Sequence, residues 1–189
     1  MNKEALIIVD VQNDFCPGGA LAVPKGNEII TVVNRLIDKF QEAQYPIFAT
    51  RDWHPSNHCS FQNQGGVWPP HCIQNTWGAE FHPVLNLPEN AVIISKADTQ
   101  ENEAYSGFEG TELSTLIREA GITNLVVCGL ATDYCVKATA LDGLKNGFEV
   151  TVEEDSIRGV NVKQDDSKKA MDEMKTSGVN FVKSSFLTI

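Results

Sequence analysis

Leu125-Val126-Val127-Cys128-Gly129-Leu130-Ala131-Thr132-Asp133-Tyr134-Cys135-Val136-Lys137 is the stretch whose reading decides the fold. It opens as a short apolar run of strand type, breaks at Gly129, offers Thr132 and Asp133 as helix caps, and continues in helix-forming sequence. Cys135 then falls in the first turn of a helix that follows a strand. Backbone N–H groups there lack intrahelical partners, and the positive end of the helix dipole lies beside them. Such a place lowers the pKa of a thiol and supplies donors to an oxyanion. A free cysteine is by default a buried packing residue, so the reactive reading requires an acid or base within reach of Cys135.

Outward from this segment, Ala5–Val9, Pro46–Thr50, Ala91–Ser95, Asn124–Leu130, Glu149–Val152 and Asn180–Lys183 read as strands. From Glu28 to Ala43, Ile29, Val32, Val33, Leu36, Ile37 and Phe40 recur at helical spacing, with Asn27 as a cap. Thr111–Ala120 and Thr132–Asn146 read as helices closed by Gly121 and Gly147, and Asp165–Thr176 as a helix before Gly178. Strands rich in Val and Ile alternating with helices specify an α/β fold. The expectation is a doubly wound, mostly parallel six-stranded sheet of order 3-2-1-4-5-6, with helices on both faces and a single domain over residues 1–189.

In that order strands 1 and 4 are neighbours, and ligands bind at their carboxyl ends where the winding reverses. Asp10 sits just past strand 1, Lys96 just past strand 3, and Cys135 just past strand 4. An acid, a cation and a helix-terminal thiol therefore converge on one crevice. Asp10 can take the thiol proton and later deliver it to a leaving amine, while Lys96 can favour both charged forms. The alternative is a buried Asp–Lys pair beside an inert cysteine. The first turn, Asp10 to Phe15, lacks G-x-G-x-x-G, which argues against a nicotinamide-dependent oxidoreductase.

Arg51 to Glu89 shows no sustained period and holds all four histidines of the chain: His54, His58, His71 and His82. A loop of this length in a compact domain is usually functional. In Asp52-Trp53-His54 the first and third side chains project to the same side of an extended segment. With His71 they make a two-histidine, one-carboxylate set suited to zinc, iron or manganese. A structural zinc knuckle using Cys59 and Cys72 competes, but their spacing matches no usual paired-cysteine pattern.

Fifteen basic against 25 acidic residues leave a net charge of −10. Without a basic block, this excludes nucleic acid and anionic membrane surfaces as partners. The run Ala5–Val9 is too short for the apolar core of a signal peptide, and no transmembrane run exists. Five cysteines without a C-x-x-C pair argue against a disulfide framework. The expected location is cytoplasmic.

The chain resembles the nicotinamidases (pyrazinamidases) of the isochorismatase-like cysteine hydrolases. The resemblance is carried in order by residues 10–23, 52–61, 68–72, Lys96, 129–137 and 155–160. It implies Asp10, Lys96 and Cys135 as catalytic triad, and Asp52, His54 and His71 as ligands of one divalent ion, zinc first, with iron or manganese as alternatives. It also implies a cis peptide bond before Ala131, so that the N–H groups of Ala131 and Cys135 form an oxyanion hole. Phe15, Trp68 and Tyr105 match positions lining a pyridine pocket. Some family members carry a further histidine ligand where this chain has Ser60, with His58 two residues earlier, so three protein ligands are expected. The acidic stretch 98–103 is assigned no role.

The implied activity is hydrolysis of nicotinamide to nicotinate and ammonia through a cysteine thioester, in NAD salvage, with pyrazinamide as a second substrate. Nicotinamide is the partner implied; homo-oligomerisation is left open. The rivals are a relative acting on another small amide without metal, and a non-catalytic metal- or ligand-binding module on the same fold.

Overall fold

The computed structural model describes residues 3–183; the ends of the expected 1–189 domain lie outside them. Six strands, β1 (Glu4–Val9), β2 (Ile47–Asp52), β3 (Val92–Lys96), β4 (Asn124–Leu130), β5 (Glu149–Arg158) and β6 (Asn180–Val182), form one sheet of order β3-β2-β1-β4-β5-β6. Each neighbouring pair is parallel. The helices are α1 (Ile30–Glu42), α2 (Leu113–Glu119), α3 (Lys137–Lys145) and α4 (Asp166–Ser177). The expected order and the winding reversal between β1 and β4 are both present.

β1 shows why the strands read as unbroken apolar runs. Leu6 and Ile8 enter one hydrophobic cluster, while Ala5, Ile7 and Val9 enter the other, as alternating side chains of a doubly covered strand must. α1 covers the first face with Ile30, Val33, Leu36, Ile37 and Phe40 buried at helical spacing, each worth roughly 1.5–3 kcal/mol when fully removed from water. The second face takes Leu113 and Ile117 of α2, Ala140 of α3 and Met174 of α4. The cover is uneven, because residues such as Ala79 and Leu85 of the long β2–β3 connection share the first face with α1.

Gly129 sets the spacing at the functional end of the sheet. Its φ is +119°, and a Cβ there would stand 2.1 Å from the Val9 carbonyl oxygen. Only glycine lets β4 close against the end of β1 at this point, one residue before Asp10.

Four local expectations are corrected. Asn27 lies inside a 3₁₀ turn (Gly26–Ile29) and does not cap α1 by its side chain. Thr132 and Asp133 do not cap the helix that holds Cys135. Residues Thr132–Val136 make a π turn ahead of α3, with Ala131 in the capping position. The Asp133 carboxylate is instead taken by the N–H groups of Val160 (2.9 Å) and Asn161 (2.7 Å) in the β5–α4 loop. Finally, β5 runs six residues past Val152. The register jumps from Val127↔Val152 to Gly129↔Ile157, and pairing resumes after an irregularity whose Ser156 hydroxyl donates to Glu153 O (2.9 Å).

Candidate active site

Three strand ends supply the first cluster. Asp10 follows β1 in a left-handed conformation, φ 48°, unusual for a residue with a side chain. Lys96 ends β3, and Cys135 lies in the π turn after β4. Lys96 Nζ is 2.9 Å from Asp10 Oδ2 and 3.6 Å from Cys135 Sγ, and it donates to Ala104 O at 3.3 Å and to Asp52 Oδ1. The Thr50 hydroxyl donates to Asp10 Oδ1 at 2.6 Å. Asp10, Lys96 and Cys135 are 0%, 1% and 7% exposed, so the electrostatics act across little solvent.

Burial drives the Asp10 carboxyl upward, with Lys96 pulling it down and Asp52 pushing it up; the net shift is upward. Burial tends to lower Lys96, but the two carboxylates outweigh it and hold the ammonium charged. The Cys135 thiol is pushed well above its ordinary range by burial, against the opposing pull of Lys96. This corrects the expectation that the helix terminus and Lys96 leave a lowered thiol pKa. In so closed a site desolvation outweighs the Lys96 charge, and the neighbouring Asp10 and Asp52 carboxyls add to the rise.

The second cluster lies beside the first. Asp52 ends β2, His54 follows two residues later, and His71 returns from the long connection; their ligand atoms all lie within 4.8 Å of one another. His54 Nδ1 donates to Ala97 O (3.0 Å) and His71 Nδ1 to Pro69 O (2.8 Å). A carbonyl can only accept, so each Nδ1 carries the proton and a neutral ring leaves a lone pair on Nε2. Burial pushes His71 toward that neutral form. The two Nε2 atoms stand 3.5 and 3.8 Å from Asp52 Oδ2. Three buried acceptors facing one another are satisfied by a cation, and carbonyl-anchored imidazoles are the usual outer support of a metal site. The set fits a divalent ion. Asp52 is held below the usual carboxylate range: burial raises it, the Lys96 ammonium pulls it down, and the net shift is downward.

His58 and Ser60 do not join this set. His58 is buried and stacks on His54 at 4.1 Å. Its Nδ1 engages the Ser60 hydroxyl (2.8 Å) and its Nε2 the Asn102 carbonyl (3.1 Å). The acidic stretch thus acquires a part: its backbone carbonyls anchor the histidine loop, with Gln100 O accepting from Cys59 N at 2.8 Å. His82 lies away from the cluster, its N–H donating to Val11 O.

Members of both clusters line one cavity, Asp52 and His71 from the second and Cys135 from the first, together with Ala131. Phe15, Trp68 and Tyr105 also line it. Phe15 packs 5.6 Å from the His71 ring, and Trp68 Nε1 donates to the Tyr105 hydroxyl at 3.0 Å. The Leu130–Ala131 peptide is cis. Ala131 O accepts from Tyr134 N and Val136 N, and Cys135 lies in the same turn.

Some functional neighbours were missed in the sequence. Tyr134 completes the aromatic wall, its ring 5.0 Å from Trp68 and 5.7 Å from Tyr105; it stands in the quoted segment, but nothing there marks it as facing the cavity. Gln12 grips Asp52 by donating to its carbonyl (2.8 Å) and accepting from its N–H (2.8 Å), with a further bond to Ala79 O (2.9 Å). The available signal was a run of polar residues directly after a buried strand.

The isochorismatase domain model matches residues 4–185. A nicotinamidase from Escherichia coli (strain K12) is 43% identical, over 94% of this chain and 93% of that protein. The pyrazinamidase of Pyrococcus horikoshii, solved in complex with zinc, superposes with a TM-score of 0.92 at 56% identity, over 96% of this chain and 99% of that one. PnC1 from L. infantum, solved in complex with nicotinate, does so with a TM-score of 0.92 at 38% identity, over 99% and 96%. The chain belongs to the isochorismatase domain family.

Proposed function

We propose that this protein is a metal-dependent nicotinamidase that hydrolyses nicotinamide to nicotinate and ammonia, accepts pyrazinamide as well, and serves NAD salvage in the cytoplasm. The observation that carries the reading is one cavity lined by Cys135, whose sulfur stands beside the buried Asp10–Lys96 pair, and by Asp52 and His71 of the candidate metal set. A thiol and a candidate metal set lining one aromatic-walled cavity suit a small flat ring that bears both an amide and a ring nitrogen. The names and bound molecules of the relatives support the same substrate class.

Asp52, His54 and His71 would hold one divalent ion, zinc by the chemistry of the donors. When bound, that ion supplies a Lewis acid for the pyridine nitrogen and so orients the ring. Phe15, Trp68 and Tyr105 confine its faces. Asp10 accepts the Cys135 proton as sulfur bonds to the amide carbon, and the N–H groups of Ala131 and Cys135 take the charge on the carbonyl oxygen, worth about 3–4 kcal/mol per donor. Asp10 returns the proton to the amide nitrogen, the C–N bond breaks and ammonia leaves. Water, deprotonated by Asp10, then opens the thioester to nicotinate and restores the thiol. Lys96 keeps Asp10 from closing on a neutral pair and faces sulfur as its charge develops.

Ammonia release from nicotinamide, measured with and without chelator and with Cys135→Ala, tests this reading. Turnover lost on chelation and in the variant is expected. Chelator-resistant turnover would favour another small-amide hydrolase, and nicotinamide binding without turnover a non-catalytic module.

A further inference from the structure

Asp52 belongs to two sets of ligand-type atoms. Besides the set with His54 and His71, the donor atoms of Asp10, Asp52 and Cys135 also lie within 4.8 Å of one another, all three residues buried. Carboxylate oxygen and thiolate sulfur bind zinc at about 2.0–2.3 Å, which places ligands around one ion roughly 3.3–4 Å apart. The second set is therefore close to a metal cage in both size and chemistry. A metal held there would tie up the sulfur lone pair, releasing the thiol proton to solvent, and Cys135 would no longer attack a carbonyl.

The middle of that cage is filled. Lys96 Nζ lies 2.9 Å from Asp10 Oδ2 and 3.6 Å from Cys135 Sγ, and donates to Asp52 Oδ1 and Ala104 O. A compact ammonium with three donors and a full charge takes this place where a planar guanidinium fork would not. It contacts one atom from each member of the set.

We propose that the Lys96 ammonium is the resident cation of this second cage and keeps divalent metal off the Cys135 sulfur, so that only the Asp52–His54–His71 set takes an ion. The inference rests on reading that set as the metal centre. It gives Lys96 a role separate from any effect on proton transfer: it decides which of two adjoining cages is loaded.

Cobalt(II) is the probe, because a thiolate ligand adds a near-ultraviolet sulfur-to-cobalt charge-transfer band. The wild-type protein should bind one equivalent without that band. Lys96→Ala and Lys96→Gln should bind a second equivalent with it, and the band should vanish in Lys96→Ala/Cys135→Ser. Variants that stop at one equivalent without the band, or a wild-type protein that shows it, would overturn the proposal. If the wild type binds no cobalt, the metal-centre reading fails, and the band in the Lys96 variants still decides the second cage. Removing Lys96 leaves two buried carboxylates unpaired, so thermal unfolding is followed by circular dichroism in parallel. A cobalt-dependent rise in Tm beyond that of the wild type is expected in the variants; its absence in poorly folded variants also overturns the proposal.

Discussion

Asp52 and Lys96 end β2 and β3 as register partners, and Asp52 divides its carboxylate between two centres. Oδ1 accepts from Lys96 Nζ, while Oδ2 faces Nε2 of His54 and His71. One side chain therefore joins the thiol cluster to the histidine cluster. His71→Ala should lower metal content after dialysis and raise KM while leaving iodoacetamide reactivity of Cys135 close to wild type. Asp52→Asn should lower metal content and change Cys135 reactivity together. If Asp52→Asn leaves the thiol unaffected, the two clusters are electrostatically separate.

The cavity that Cys135 and His71 both line makes a second expectation. Benzamide carries the same amide as nicotinamide and has no ring nitrogen to meet the His71 side. The metal-loaded enzyme should prefer nicotinamide in kcat/KM by roughly tenfold or more, about 1.4 kcal/mol. Equal kcat/KM values would assign the ion a structural role and leave ring placement to Phe15, Trp68 and Tyr105.

Gln12 supports the same carboxylate from behind. Its amide satisfies the N–H and carbonyl of Asp52 and the carbonyl of Ala79, and it is fully buried. Gln12→Ala should cost on the order of 1–3 kcal/mol in urea unfolding, as buried partners left unsatisfied do, and should weaken metal binding as well. Gln12→Glu, which replaces the amide donors with an acceptor facing two carbonyls, should be worse than Ala. Metal affinity unchanged in both would show that Asp52 is held by its strand alone.

Strand order and the carboxyl-end site were legible because the parallel strands are buried on both faces and leave unbroken apolar runs, as in Ala5–Val9. The same logic exposed Asp10, Lys96 and Cys135, polar residues directly after or at the end of such runs. Spacing joined Asp52 to His54, since an extended segment puts the first and third residues on one side; His71 was added from the same long connection, and the resemblance implied all three as ligands. What escaped depended on tertiary competition. Asp133 reads as a cap until the β5–α4 loop offers it two N–H donors. The sign of the thiol shift needed the depth of burial, which no local pattern carries. His58 could be assigned only once its ring was seen on His54, with its nitrogens spent on Ser60 and Asn102.

The irregularity in β5 leads to a pH dependence of stability. Glu153 is fully buried, and burial, reinforced by Asp155, pushes its carboxyl up to about 7. An unfolded glutamate titrates near 4.3, so between these values the folded chain holds a proton that the unfolded chain has lost. The native state is then favoured at low pH, and this contribution disappears as pH rises through 7. Glu153→Gln should flatten the fall in stability between pH 5 and 8, gaining roughly 1–3 kcal/mol at the upper end. Denaturant unfolding across that range checks it. Parallel curves for the two proteins would show that Glu153 ionises freely in the fold.

Lys96 provides the sharpest test of the electrostatics at sulfur. Burial holds the Cys135 thiol up, and Lys96 is the group that opposes it, from 3.6 Å away. Lys96→Met keeps the length of the side chain and removes the charge, so the thiol pKa should rise further. Iodoacetamide alkylation of Cys135 should then shift to higher pH and slow at any fixed pH below the new value. Peptide mapping separates it from Cys16, Cys59, Cys72 and Cys128, of which Cys16, Cys72 and Cys128 are buried. Because Lys96 does not line the cavity with Phe15 and Trp68, kcat should fall far more than nicotinamide affinity. A matching fall in affinity would place the ammonium against the substrate. An alkylation profile identical to wild type would mean that the remaining charges, Asp10 and Asp52 foremost, set the thiol without it, and the working site would reduce to an acid and a nucleophile.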